Sequence, residues 1–425
     1  MTARDLVRMA RREPLLSALL ALATLLLLTE PIWLAVRVWI PVWTGVQPGL
    51  ADFSFYYDGA LRFLDEPLAL YPDVYFGYMY PPPSVVLFFP LVLVPLPVAH
   101  ALCVVGIVVL AAGCAAYAVQ IWERWRGVRL PDATRLALIL IALATAPVFQ
   151  NLKYAQVNVL VLALALGLLE LVRRDRLFAA ALLLSVGFWL KLYPLALALL
   201  GWKRGREAPL VAGFAVGLVG IPLVLLPIVP LELYRQYAFD LLPYWATTTN
   251  MDALVQSLPG VLEHLRQPVT DYLRSHDAVL HPAVKTLNTI VTALLLGGLY
   301  AAVAAGRLRR DLAGVLMLAV LPVVSILGWE HTYVLALPLF LVAFLEARRR
   351  GPAAQAFVAF AVLVLMVPKL PQPQMVWTFE HWPRWLVDVF YARFLLVTLP
   401  LLGVATAWGW RASTQKTPET AASGA

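Results

Sequence analysis

Charge is what this chain has least of. Only 14% of its 425 residues are Asp, Glu, Lys or Arg, against 61% hydrophobic residues, and the mean hydropathy is +0.78. Apolar windows of membrane-spanning length recur from end to end, which excludes a water-soluble core. Cysteine is scarcer still. Cys103 and Cys114 lie eleven residues apart in one apolar run, which excludes a disulfide framework and a thiolate metal site. No cleavable signal peptide is expected either: residues 15–39 are too long for a signal core and lead into more apolar sequence. These absences predict an all-α, polytopic integral membrane protein.

The few charges that exist are unevenly placed. The net charge of +8 could suggest nucleic acid, but the basic residues come in short clusters between apolar runs. These are Arg4 to Arg12, Arg124 to Arg135, "RRDR" at 173–176, "KRGR" at 203–206, "RLRR" at 307–310, "RRR" at 348–350, and Arg411 with Lys416. They hold two thirds of the 33 Lys and Arg residues. Positive-inside bias puts every cluster in the cytoplasm, so the spans between them must come in pairs. Twelve crossings satisfy this: 15–39, 98–121, 136–150, 155–172, 177–190, 192–202, 208–231, 286–305, 312–328, 332–346, 353–368 and 387–409. Residues 83–97 are apolar but proline-broken and read as a partial or re-entrant helix. The expected organisation is a cytoplasmic N-terminus (1–14), a membrane domain (15–409) and a disordered cytoplasmic tail (410–425). Anionic lipid and the insertion rule account for the basic face, so no nucleic-acid partner is expected; the partner is the bilayer of the cell membrane.

With that orientation the unusual polar residues fall outside, on loops 40–82 and 232–285 and on short turns. "ADFSFYYDGALRFLDEP" (51–67) crowds Asp52, Asp58, Asp65 and Glu66 just past the first span. Phe53, Tyr56, Tyr57, Ala60, Phe63 and Leu64 repeat at helical spacing, with Asp58, Arg62 and Asp65 opposite. The spacing predicts an amphipathic helix on the outer surface, started by Asp52, with Asp58–Arg62 as an ordinary surface pair. Tyr78 and Tyr80, before three prolines, read as interfacial aromatics. "NLKYAQVNVL" places Lys153, Gln156 and Asn158 at an outer turn, where polar glue between helices is the plain alternative to function. "FWLKLYPLAL" sets Lys191 between apolar runs, at a cost of roughly 2.5–3.5 kcal/mol at a span centre unless it snorkels or meets an anion. "ILGWEHTYVLALP" sets Glu330 beside His331 at another outer turn, and "TTTNMDALVQSLPG" offers Asn250, Asp252, Gln256 and Ser257.

Taken in order, "DFSFYYDGA", "YPPPSVVLFFPLVLVP", "KYAQVNVL", "LKLYP", "QSL" and "YVLALP" resemble the polyprenol-phosphate-sugar-dependent glycosyltransferases of the GT-C superfamily. Within it the match is to glycosyltransferase family 87, the actinobacterial-type mannosyltransferases of phosphatidylinositol-mannoside and lipomannan synthesis. It covers roughly residues 15–405. The resemblance implies a multi-span enzyme that moves a sugar from a polyprenyl phosphate to a glycolipid or glycan acceptor on the outer leaflet, with inversion at the anomeric carbon. It places the family acid on Asp52, the Gln and Asn of its G-Q-x-N motif on Gln156 and Asn158, its lysine on Lys191 and its W-x-H histidine on His331. Two departures stand out: Ala155 replaces the motif glycine, and Val255 replaces the asparagine of N-Q-S, leaving Gln256 and Ser257.

The chemistry suits these residues independently. Displacement at an anomeric carbon needs a base for the acceptor hydroxyl, which Asp52 supplies. It also needs cations on the departing phosphate, the part open to Lys191, His331 and Lys153. One essential carboxylate suffices, because a phosphate leaves without protonation; no cofactor or metal is expected. Tyr56, Gln156, Asn158, Gln256, Ser257 and Glu330 complete the expected substrate-binding set. The competing class, a transporter or lipid flippase, would also bury Lys, His and Glu. It is disfavoured because no inverted repeat relates the halves and the polar residues sit at span ends. Mannose is favoured as the sugar, with arabinofuranose and glucose left open.

Overall fold

The computed structural model of the chain describes residues 12–44, 52–71, 78–201, 207–250, 256–266, 277–326, 328–367 and 392–414, with Pro383, Leu386, Val389 and Phe390. Residues 1–11 of the expected N-terminal arm, Asp252, Val255 and most of the loop 369–386 lie outside the described residues. Within them the chain is helical apart from one short antiparallel ribbon, Thr248–Asn250 against Asp277–Val279.

Helical segments occupy all twelve expected stretches, but their lengths differ from a row of uniform spans. Five are long and apolar enough to cross a membrane: Pro14–Trp39, Leu96–Arg126, Glu207–Leu225, Pro282–Ala304 and Glu330–Ala347. A sixth is a broken pair, Asp132–Leu143 and Ala146–Tyr154, bent by 58°. Here the expected single helix 136–150 is corrected: Pro147 has no N–H to donate, so the ladder stops before it and the chain restarts in a new direction. Leu96–Arg126 shows the opposite behaviour. It starts at a proline-bearing first turn and runs 31 residues to Gly127, a left-handed stop at φ 63°. At 1.5 Å per residue that is roughly 46 Å, more than the ~30 Å of hydrocarbon in a bilayer.

Two segments depart from α geometry. Pro82–Leu93 is a 12-residue 3-10 helix. Prolines at 82, 83 and 90 remove the donors an α ladder would need, which is how so long a 3-10 run arises. After Leu177–Leu190 the backbone extends at Lys191 and then coils through Tyr193–Leu197 and Ala198–Gly201. Gly213 lies against Phe178 and Gly217 against Ser185, so helix Glu207–Ala215 begins beside the start of Leu177–Leu190. The chain therefore returns the length of that helix within residues 191–206.

The centre is formed by Arg310–Val324 and Leu337–Ala347, in both of which nearly every residue is buried. Pro14–Trp39, Glu207–Leu225 and Pro282–Ala304 instead expose Leu28, Ile32, Val224, Ile290 and Leu294. Contiguous apolar faces of this extent suit lipid better than water.

The two ends of the bundle differ in chemistry. At one end, buried or half-buried acids hold arginines, across helices in Glu346 with Arg126, Glu123 with Arg135 and Glu13 with Arg348, and within one turn in Glu346 with Arg350 and Glu170 with Arg173 and Arg174. At the other end lie Asp52, Asn158, Lys191 and His331. Helix Arg393–Thr414 runs between the ends and reaches into the expected disordered tail.

Candidate active site

The site grows from a turn. Helix Ala146–Tyr154 stops at Ala155, whose φ of 45° and ψ of 45° are left-handed, so that the Gln156 N–H closes on the Asn151 carbonyl at 2.9 Å. This is the position where the family motif carries glycine, and the geometry explains the preference: a side chain in this region costs about 1–2 kcal/mol. The reversal turns Gln156 and Asn158 inward; both are buried.

Gln156 is the hub. Its Nε2 donates to Asp52 Oδ2 at 2.6 Å, and its Oε1 accepts from the Tyr56 hydroxyl at 2.9 Å and the Tyr80 hydroxyl at 3.3 Å. The two phenols also share a hydrogen bond of 2.5 Å. Burial raises both phenols above their ordinary pKa, so they act as neutral hydroxyls. Asp52 is the first residue of helix Asp52–Asp65, where the backbone dipole favours an ionised carboxylate. That helix is held by Tyr56 stacked on Phe88 at 4.6 Å and Phe53 set edge-on to His100 at 5.2 Å. Gly59 lets it close on Tyr78, whose ring leaves no room for a Cβ. Asp58 is exposed on the far face, as the sequence pattern predicts.

The second half is cationic. Lys191 Nζ donates to Asn158 Oδ1 at 2.8 Å, and the Tyr193 hydroxyl donates to the same oxygen at 2.9 Å. Both donors on one oxygen fix the amide's orientation and leave Asn158 Nδ2 buried with no partner among the described residues. The ammonium lies 5.3 Å from the Tyr80 ring centre and 5.8 Å from that of Tyr193. Asp52 and His331 are its electrostatic neighbours. The His331 ring stacks on Trp329 at 6.1 Å and 8° and meets Tyr154 edge-on at 6.3 Å, while Asn151 donates to its carbonyl at 2.7 Å.

Other expected residues stand behind this group. Lys153 bonds the Tyr154 hydroxyl at 3.0 Å and lies 5.2 Å from the Trp33 ring. Its carbonyl is 3.2 Å from His100 Nε2, and His100 Nδ1 accepts from Trp39. Gln256 and Glu330 bond each other at 2.9 Å, and Ser257 Oγ accepts the Gly260 N–H at 3.4 Å, capping helix Leu258–Arg266. Four residues in and around the site carry roles that their sequence pattern did not show. Tyr80 is buried and bonded to Gln156, not an interfacial anchor, and Tyr78 is likewise buried against Ser84. Tyr193 lies in "LKLYP", two residues from Lys191. Arg393 is paired with Glu330 inside the protein.

A carboxylate, an ammonium, an imidazole and an amide donor with no partner among the described residues are gathered at one end of an apolar helical bundle, a set of groups chemically suited to taking up a proton and to holding an anion. The chain belongs to glycosyltransferase family 87, whose model matches residues 78–329. That match contains Gln156, Asn158, Lys191 and Gln256; Asp52 and His331 lie outside it. Over 378 residues the chain is 27% identical to a polyprenol-phosphate-mannose-dependent alpha-(1-2)-phosphatidylinositol pentamannoside mannosyltransferase of Mycolicibacterium smegmatis, covering 85% of this chain and 87% of the relative. Over 393 residues it is 28% identical to a polyprenol-phosphate-mannose-dependent alpha-(1-2)-phosphatidylinositol mannoside mannosyltransferase of Mycobacterium tuberculosis, covering 85% and 86%.

Proposed function

We propose that the enzyme moves a mannosyl residue from a polyprenyl-phosphate donor to a glycolipid or lipid-linked glycan acceptor, with inversion at the anomeric carbon. The relatives' names supply the donor and the acceptor class. The observation that carries the reaction is the Asp52–Gln156–Tyr80 chain ending over the Lys191–Asn158 pair.

In this reading Asp52 takes the proton of the acceptor hydroxyl as its oxygen attacks the anomeric carbon. The bond from that carbon to the phosphate oxygen breaks, and the phosphate leaves with the electron pair. Lys191, the Tyr193 hydroxyl, Asn158 Nδ2 and His331 are the groups placed to receive its charge. Gln156 holds the Asp52 carboxylate in register, and Tyr56 and Tyr80 hold Gln156. A single displacement inverts the carbon. Residues 15–409 form the GT-C-type membrane domain, with twelve crossings, the arginine end and both termini in the cytoplasm, and loops 40–82 and 232–285 outside the cell membrane. Helix Asp52–Asp65 then lies along the outer surface, with its carboxylate at the lipid–water boundary.

The test is substrate consumption. Purified enzyme incubated with polyprenyl-phosphate mannose, glucose or arabinofuranose and a phosphatidylinositol-mannoside acceptor should discharge the mannosyl lipid. Discharge of another sugar instead would reassign the donor, and discharge of none would refute the transferase reading.

A further inference from the structure

Four segments distant in sequence meet at one buried carboxylate, Glu330. Its Oε1 accepts from Gln256 Nε2 at 2.9 Å and from Arg393, and its Oε2 from Gln150 Nε2 at 3.4 Å. Arg393 begins the last helix and is only 7% exposed; Glu330 is 2% exposed. The guanidinium also donates to the Phe390 carbonyl at 3.1 Å and lies between the rings of Phe390 and Phe394, at 4.2 and 4.6 Å. Gln256 completes the clamp. It accepts the Phe394 N–H at 3.0 Å on its side chain, the Tyr333 hydroxyl at 2.7 Å on its carbonyl, and donates its own N–H to Gly328 at 2.9 Å. Gly328 has no space for a Cβ between Pro322 and Ser257, so the turn leading to Trp329 is closely packed.

What this clamp holds is the Trp329–His331 turn. Glu330 adjoins His331 in the chain, so a shift of its carboxylate moves the imidazole and the indole stacked on it. A buried ion pair adds little net stability over apolar packing, so its presence calls for a reason other than stability.

We propose that Arg393 is a positioning residue for the transfer reaction, fixing through Glu330 the attitude of His331 toward the leaving phosphate. The inference rests on the reading of His331 as a phosphate partner. Arg393→Lys keeps the charge but loses the planar fork that satisfies two acceptors at once.

The experiment is a double-mutant cycle on the full-length enzyme in detergent or vesicles, with steady-state transfer from polyprenyl-phosphate mannose. Arg393→Lys should lower kcat by about tenfold or more, leaving acceptor KM unchanged, while in the His331→Ala background the same change should cost less than about twofold. A purely structural arginine would lower the yield of folded protein but multiply with His331→Ala at full strength, which would overturn the inference. Where Arg393→Lys does not fold, Glu330→Gln with Arg393→Gln removes both charges together and enters the same cycle with the same two outcomes. A silent His331→Ala would overturn the reading of His331 and this inference with it, whereas a costly His331→Ala beside a silent Arg393→Lys would overturn the inference alone.

Discussion

The assignment of Asp52 over Asp58 is the point at which the proposed chemistry is most exposed. Both carboxylates lie on helix Asp52–Asp65, six residues apart. Their contacts separate them. Asp52 receives the Gln156 amide at 2.6 Å and lies within electrostatic reach of Lys191, whereas Asp58 is exposed with Arg62 as its charged neighbour. Asp52→Asn keeps the shape, and its amide oxygen can still accept from Gln156, so folding and donor binding should survive. It cannot take up the acceptor proton. General-base loss of about 100-fold in turnover corresponds to about 2.7 kcal/mol in the barrier. Asp58→Asn removes a surface pair worth about 0–1 kcal/mol and should cost less than about tenfold. Both variants are assayed for mannosyl transfer in the same membranes, normalised to inserted protein. An active Asp52→Asn beside a dead Asp58→Asn would refute the site as built here.

Lys191→Met should lower kcat/KM for the donor lipid by about 10–100-fold, the worth of a charge-assisted hydrogen bond, with insertion intact; near-normal donor use would return Lys191 to a helix-packing role. Ala155→Gly should relieve the left-handed turn and raise stability by about 1 kcal/mol, read as a higher thermal midpoint at unchanged activity. A lower midpoint would mean that Ala155 packs well enough to offset its strain. Cysteine-accessibility labelling should find residues 55–80 and 240–280 outside and the 307–310 and 348–350 clusters inside. A 240–280 loop that labels only after the cytoplasmic side is opened would invert the whole topology.

The legible part of this molecule was the set of residues that cannot rest in hydrocarbon alone. Asp52, Gln156, Asn158, Lys191 and His331 each interrupt apolar sequence, and the structure brings all five to one end of the bundle. The proline strings were legible as breaks, though not as a 3-10 helix of twelve residues or as a 58° bend, because proline says where an α ladder fails and not where the chain goes next. Tyrosine was the opaque residue type. Tyr80 beside a membrane looks like an interface anchor, and only the hydrogen bonds to Tyr56 and Gln156, made across 24 and 76 residues of chain, show that it is buried.

Arg393 marks a deeper limit. A lone arginine at the start of an apolar helix has the pattern of a flanking charge that snorkels to water, and nothing within a helical turn of it says otherwise. Its partner lies 63 residues away, beside the histidine already singled out. The cost of burying a charge is a statement about one residue and can be read from a sequence; its repayment is a statement about two, and is visible only once the chain has folded. The same holds for Glu330, which as a lone acid next to a histidine looked like a substrate ligand and in the fold spends its oxygens on Gln256, Gln150 and Arg393. Polar residues in an apolar chain therefore point to the region of the site. Which of them meets the substrate and which holds another in place is decided by the partner each has found.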